Sequence, residues 1–423
     1  MTDNDLHLVA INLTRRCNLA CAHCYLDAAT LEHGDSEELS TDEVCKLLDQ
    51  VTECGSGAMV VLTGGEPLLR QDVETIVTYG AGLGLFMVVG SNGTTLTSNR
   101  VQSLKAAGLA GVGISLDSLD ATVHDRFRGK QGCWEKTVRG IEHCRQHGLS
   151  FQIHYSINRQ NLNELDEIVE FAHNVGARVL NVFFLVCTGR GEQITDLSAR
   201  EYERALDRII DAQSRFDDLI IRPRCAPQFK RLAYQHRPDS SINRLSGSEG
   251  DGCIAASHYC RITPNGDVTP CPYMDEPCGN VRLQSFADIW ADAPGLRLLR
   301  QPLLRGKCGE CEFRTLCGGC RARALAVHGD PLAADPSCEY QPDGGDLVCA
   351  LPETLPLEWE SSAARRLARA PGFLQRLIRR RAEAYVRELG EERVTTGHLD
   401  HLTAQRFGGR RPTRPDRQNS GSG

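Results

Sequence analysis

The chain has 423 residues, 41% hydrophobic and 24% charged, which is ordinary for a soluble protein and long enough for more than one core. A net charge of -7 gives no ground for nucleic-acid binding over the whole surface, and no stretch approaches the ~20 apolar residues of a membrane-spanning helix. The start, Met1-Thr2-Asp3-Asn4-Asp5, is acidic where a signal peptide is basic, so a cytoplasmic setting is expected, and there the clustered ones among the 19 cysteines read as metal ligands or catalytic groups before disulfides.

The first apolar run, Leu8 to Leu13, reads as a buried strand. It leads into Cys17-Asn18-Leu19-Ala20-Cys21-Ala22-His23-Cys24. Three thiolates spaced C-x3-C-x2-C in one loop suit three corners of an iron-sulfur cube, and no fourth cysteine lies close in sequence. An iron without a protein ligand can bind a small molecule and pass it an electron. The competing reading is a zinc knot, which needs a fourth ligand; His23 is badly placed for that, because its neighbour Cys24 is already one.

Ser40-Thr41-Asp42-Glu43 is a capping box that opens a helix, and the strand Met59 to Leu62 ends in Thr63-Gly64-Gly65-Glu66-Pro67. Further strands are expected at Leu85 to Val89, Gly111 to Leu116, Phe151 to Ile157 and Val179 to Leu185, with an amphipathic helix over Asn161 to Val175. Six strand-helix repeats imply parallel strands joined by right-handed crossovers, which periodicity alone leaves as an open sheet or a barrel.

The cysteine triplet, followed by Gly64-Gly65-Glu66-Pro67 at the end of the next strand, resembles the signature of the radical S-adenosylmethionine (SAM) enzymes. The resemblance implies an α/β fold, a partial (β/α)6 TIM-like barrel over residues 1–224. Cys17, Cys21 and Cys24 would hold a 4Fe-4S cluster whose open iron chelates SAM and cleaves it to a 5'-deoxyadenosyl radical. Gly64, Gly65, Glu66 and Pro67 would receive the SAM amino group, since glycines let backbone approach and carbonyls and a carboxylate accept from an ammonium. A plain strand-to-helix turn is the alternative for that tetrad. Asn92 in Ser91-Asn92-Gly93, and Ser115 and Asp117 in Ser115-Leu116-Asp117, occupy strand ends that in related enzymes face the ribose and methionine parts of SAM; each residue type is also common in turns and caps. Arg128, in His124-Asp125-Arg126-Phe127-Arg128-Gly129, is a candidate partner of the SAM carboxylate or else a surface arginine. His23 stands where the family usually has an aromatic residue, and its ring can offer a flat face to adenine.

Beyond Arg224 the alternation stops, and the polar stretch Gln235 to Asp251 reads as a linker. Then come Cys253, Cys260, Cys271, Cys308, Cys311, Cys317, Cys320 and Cys338, built on C-x2-C-x5-C-x2-C. This array resembles the SPASM extension of radical SAM enzymes, expected over residues 225–350. By that resemblance Cys253, Cys260, Cys271 and Cys320 hold one auxiliary cluster, and Cys308, Cys311, Cys317 and Cys338 the other. The family more often has three residues between the last two cysteines of the core, where this chain has Gly318-Gly319. A zinc ribbon is the alternative for Cys308 to Cys320. The scattered Cys45, Cys54, Cys133, Cys144, Cys187, Cys225 and Cys349 read as small apolar fillers, with Cys278, in Glu-Pro-Cys-Gly, set apart from them.

After a hinge at Pro352 to Pro356, Trp359 to Leu389 reads as two helices interrupted at Pro371-Gly372. Phe373, Leu374, Leu377, Ile378, Ala382, Tyr385, Val386 and Leu389 form the apolar face of the second, and Arg376, Arg379, Arg380, Arg381 and Arg387 the opposite one. The segment, a small helical domain over 351–408, resembles the small domain closing a subunit of the light-independent protochlorophyllide reductase. Its arginine face is then either solvated or a binder of tetrapyrrole carboxylates. Residues 409–423 read as a disordered tail. Phe183 to Gly191 and Cys317 to Ala324 resemble the haem-biosynthesis branch of radical SAM enzymes. That implies a tetrapyrrole substrate derived from sirohaem, hydrogen abstraction at a propionate, auxiliary clusters that accept the electron left on the substrate, and a reducing partner such as ferredoxin or flavodoxin. Two rivals stand beside it: a maturase of a ribosomally made peptide, and a non-catalytic iron-sulfur electron carrier.

Overall fold

The computed structural model describes residues 6–407, apart from 27, 29–36, 56–57, 195–196, 217, 237, 239–251, 349–356, 369 and 371; Cys349 therefore lies outside the described residues. The chain separates into two compact units, Met1–Pro352 and Glu353–Gly423.

The larger unit is built on one ten-stranded sheet in the order β10-β9-β8-β1-β2-β3-β4-β5-β6-β7. Strands β1 (Leu8–Thr14), β2 (Met59–Gly64), β3 (Phe86–Ser91), β4 (Gly111–Ser115), β5 (Phe151–Ile157), β6 (Val179–Phe184) and β7 (Ile220–Arg224) follow in chain order. Each pairs with the next in parallel. Crossover helices cover them, so the strands are near-continuous apolar runs, with Val9, Ile11, Val60, Leu62, Val89, Val112, Ile153 and Val182 at 0% exposure. Helix α1 (Thr41–Cys54) starts at the expected capping box: Ser40 accepts from the Glu43 amide, and the Glu43 side chain accepts in return from the Ser40 N–H.

The sheet does not close. The free edge of β1 is taken in parallel by β8 (Tyr259–Ile262), which is extended antiparallel by β9 (Asp267–Thr269) and β10 (Gly279–Asn280). The cysteine-rich segment thus adds strands to the same sheet as the SAM-type repeats. β7 also lies beyond the six expected strands.

In the smaller unit, helices Ser361–Leu367, Gly372–Glu388 and Thr396–Phe407 accompany a two-stranded parallel pairing of Glu358–Trp359 with Arg393–Val394. Two helices were expected there; the third and the strand pair are additional. Ala363, Ala382, Val386, Val394 and Leu399 form its core, whereas Leu389, at the end of the expected apolar face, is 49% exposed. Two of the arginines are not simply solvated: Arg379 and Arg387 flank the buried Glu383 at 3.7 and 3.6 Å, and Glu383 accepts the Trp359 indole N–H at 2.9 Å.

Candidate active site

The cysteine loop leaves the C-terminal end of β1, the end at which parallel α/β folds place their chemistry. Four neighbours fix its backbone. Gly65 N donates to Thr14 O at 2.8 Å and Glu66 N to Arg16 O at 2.7 Å, joining the end of β2 to the chain leaving β1. A Cβ on Gly65 would stand 2.1 Å from Arg16 O, and one on Gly64, at φ +131°, 2.4 Å from Thr14 O. The two glycines therefore admit the backbone of the cysteine loop itself. From the end of β3, Asn92 Nδ2 donates to Asn18 Oδ1, and Asn18 Nδ2 to Thr94 Oγ1. The helix Ala121–Arg128 offers its last carbonyls, Phe127 O to Ala22 N and Arg128 O to Ala20 N. After β6, Arg190 Nε donates to Cys21 O at 3.0 Å.

Within this frame Cys17, Cys21 and Cys24 are free thiols in one small apolar cluster with Leu19 and Cys133. Burial pushes the Cys17 thiol up to about 11, and the neighbouring Cys21 and Cys24 add to the shift; burial also raises Cys21, against the opposing charge of Arg128. Among the described residues no three His, Cys, Asp or Glu side chains close on a point where a single metal ion would sit. The donor set fits the cube, and Arg128 Nη1 and the Ala28 amide already aim N–H groups at the sulfurs of Cys21 (3.6 Å) and Cys24 (3.4 Å).

Several expected SAM contacts are turned toward protein. Glu66 is at 0% exposure and accepts from Leu68 N, Ser91 Oγ and Asn92 N at 3.2, 2.9 and 2.8 Å, so its carboxylate clamps β2 to β3. Burial nevertheless pushes its pKa up to about 7, so the carboxyl is a much weaker acid than usual. Pro67 begins the short turn that Glu66 caps. Asp117 Oδ1 accepts from Ser156 N at 2.9 Å, and Oδ2 pairs with Arg128 at 2.5 Å. Burial alone would raise Asp117, but Arg128, His23, His124 and the Ser156 N–H together outweigh it and the carboxyl stays below its ordinary value. Arg128 is not a surface residue: it is 6% exposed and bridges Asp117 to Cys21. Ser115 ends β4, half-buried and opposite His154 of β5. The His23 ring stacks on Phe127 at 4.5 Å and 10°, so one of its faces is taken by protein. Burial, then Arg128, lower its proton affinity to about 4, which keeps the ring neutral. Asn18, Thr94 and Arg190 belong to the site without having been named as site residues in sequence; Asn18, inside the cysteine motif, and Arg190, inside the stretch Phe183 to Gly191, carried a signal, and Thr94 did not.

In the cysteine-rich segment, Cys308, Cys311, Cys317 and Cys338 line one partly open pocket together with Arg231 and Tyr340. That is the second expected set of four. Gly318 and Gly319 both have positive φ, and a Cβ on Gly319 would meet the Asp335 Cβ at 2.8 Å, so the short two-residue spacer is a packed turn. Cys253, Cys271 and Cys320 of the first set lie together, since Cys271 and Cys320 both feel the charge of Cys253. Cys260 departs from that set. It sits at 0% exposure in β8 opposite Val9, and the thiols near it are Cys54 and Cys278. None of the described helices is long and apolar enough to cross a membrane.

Residues 11–172 match the radical SAM superfamily, residues 253–320 the SPASM iron-sulfur cluster-binding domain, and residues 359–402 the proto-chlorophyllide reductase 57 kD subunit. The chain is 39% identical over 345 residues to an AdoMet-dependent heme synthase of Methanosarcina barkeri, covering 80% of this chain and 98% of that protein. It is 31% identical over 353 residues to a pre-heme d1 synthase of Dinoroseobacter shibae, covering 78% and 85%. Among solved structures, Streptococcus suis SuiB bound to S-adenosylmethionine shares the fold with a TM-score of 0.64 at 19% identity, over 79% of this chain and 78% of that one. The chain belongs to the radical SAM superfamily, in its SPASM-containing branch alongside the AdoMet-dependent heme synthases.

Proposed function

We propose that this radical SAM enzyme modifies a tetrapyrrole, removing or converting propionate side chains of a sirohaem derivative on the way to haem b or haem d1. The observation that carries this is the 39% identity to a heme synthase along 98% of that protein's length. The figure for the pre-heme d1 synthase is 31%, which favours the haem b direction.

Bound by Cys17, Cys21 and Cys24, a reduced 4Fe-4S cluster with SAM supplies a 5'-deoxyadenosyl radical. The chain's own residues prepare that site. Asp117 holds the Arg128 guanidinium beside the Cys21 sulfur. Glu66 locks the ends of β2 and β3, and Asn92 and Arg190 hold the loop that carries the thiolates. A neutral His23, backed by Phe127, presents a ring without a proton to lose near pH 7. A ferredoxin or flavodoxin would deliver the reducing electron.

A second reading, a maturase acting on a peptide, is supported by a PqqA peptide cyclase of Granulibacter bethesdensis at 26% identity. One experiment separates the two. The anaerobically reconstituted protein is given SAM, dithionite and either didecarboxysirohaem or Fe-coproporphyrin III, and products are followed by mass spectrometry. Release of 5'-deoxyadenosine that rises with the tetrapyrrole, with matching loss of porphyrinoid mass, supports the proposal. SAM cleavage indifferent to both tetrapyrroles transfers the case to peptides, and no cleavage with intact clusters leaves only the electron carrier.

A further inference from the structure

With Cys260 on the wrong face of its strand, the inner auxiliary set has three thiols and needs a fourth. The face is decided by strand alternation. Along β8, Arg261 reaches Thr269 Oγ1 (2.9 Å) and Pro272 O (2.9 Å) and lies over the Tyr25 ring at 6.0 Å, so its side chain points to the turn that carries Cys271 and Tyr273. Successive residues of a strand point to opposite faces, which sends Cys260 away from Cys271.

Cys225 stands where the missing thiol is wanted. It follows the last residue of β7 and adopts φ +58°, a left-handed conformation unfavourable for a side-chain-bearing residue and held here by its surroundings. Its carbonyl accepts from Tyr202 OH at 2.8 Å and Arg323 Nη2 at 2.9 Å. Arg323 also pairs with Asp335 at 3.0 Å, and Asp335 Oδ2 accepts the Cys320 N–H at 2.7 Å. One buried ion pair therefore fixes the backbone of Cys225 and Cys320 together. Tyr273, two residues beyond Cys271, hydrogen-bonds the Cys225 side chain. Consistent with this, the thiols of Cys225, Cys253 and Cys320 each add to the burial that holds the Cys271 thiol up. Cys225, Cys253 and Cys271 also keep part of their surface exposed, unlike Cys260, which is sealed in the core.

We propose that Cys225, with Cys253, Cys271 and Cys320, ligates the inner auxiliary cluster, and that Cys260 is a core residue. The proposal rests on the reading that the cysteine-rich segment holds auxiliary clusters. It places that cluster on the strand end of β7, so the barrel-type repeats and the SPASM segment share one centre.

The test uses the full chain with Cys17, Cys21 and Cys24 all changed to Ala, which confines iron to the auxiliary sites. Cys225→Ala, Cys253→Ala and Cys260→Ala are each added to it, and iron, acid-labile sulfide and Mössbauer spectra are measured after anaerobic reconstitution. Cys225→Ala is expected to lose about four irons per chain, as Cys253→Ala does, while Cys260→Ala keeps the full complement. Full iron in Cys225→Ala, or loss in Cys260→Ala with its circular dichroism unchanged, overturns the assignment. An iron-free starting variant overturns it too, by removing the auxiliary clusters altogether, and is distinguishable from the first two results. If Cys225→Ala fails to fold, Cys225→Ser serves: its oxygen donor is expected to keep iron with an altered electron paramagnetic resonance signal, and an unaltered signal counts against the proposal.

Discussion

Replacing Arg128 by Met tests the centre of the site most directly. Arg128 and Asp117 form an ion pair at 2.5 Å with side chains only 7% and 1% exposed. Charge centres about 4 Å apart attract by about 4 kcal/mol at the effective dielectric that suits protein interiors. Removing one partner leaves the other charge buried, which in comparable pairs costs about 3–5 kcal/mol. Arg128→Met is therefore expected to destabilise the larger unit by about that amount, read as a fall in the urea midpoint followed by circular dichroism under anaerobic conditions. Adding Asp117→Asn should recover a good part of the loss, because Asn still accepts the Ser156 N–H while no charge is stranded. A second readout is independent of stability. The N–H aimed at the Cys21 sulfur favours the reduced, more negative cluster, so Arg128→Met should shift the potential of the SAM-binding cluster downward. A stability loss below about 1 kcal/mol, or a double variant no better than Arg128→Met, would refute the coupling argued here.

Three histidines near the site, the buried His124 and the half-buried His23 and His154, have their proton affinity lowered to about 4, chiefly by desolvation. The folded chain binds fewer protons than the unfolded one between about pH 6.5 and 4, so their stabilisation is complete above that window and lost as pH falls through it, up to roughly 3 kcal/mol each. Midpoints measured at pH 7.5, 6 and 5 should fall accordingly; His124→Asn, whose Oδ1 can accept the Asp117 N–H in place of Nδ1, should flatten part of the slope, and an unchanged slope would contradict the assignment. Gly65→Ala drives a Cβ into Arg16 O and should cost about 1–3 kcal/mol while lowering iron retained at the Cys17–Cys24 loop; a variant that keeps its iron and its midpoint speaks against the tight junction. In the smaller unit, Glu383→Ala strands the Trp359 indole N–H and should lower that unit's stability by about 1–3 kcal/mol, seen as a shifted tryptophan emission at lower urea.

The parts of the fold legible in sequence are those where many residues repeat one message. Strands β1 to β6 announce themselves as apolar runs, and Ser40 with Glu43 marks the start of α1. β7, Ile220–Arg224, has two apolar residues and a proline, which suits an edge strand but not a periodicity argument; β8, β9 and β10 have four, three and two residues. Residue type alone does not say which way a side chain turns. Glu66 and Asp117 could as well have met an ammonium or a hydroxyl of SAM. What claims them is the Asn92 N–H, 26 residues on, for the first and the Arg128 guanidinium for the second. Cys260 and Cys225 make the same point more sharply. The resemblance to the SPASM array selects Cys260, since it lies inside that array, and passes over Cys225, which is 28 residues before Cys253. Strand alternation reverses that choice: one residue's step along β8 separates Arg261, facing the Cys271 turn, from Cys260, facing the core, so a ligand set in such a segment is read from strand faces rather than from spacing.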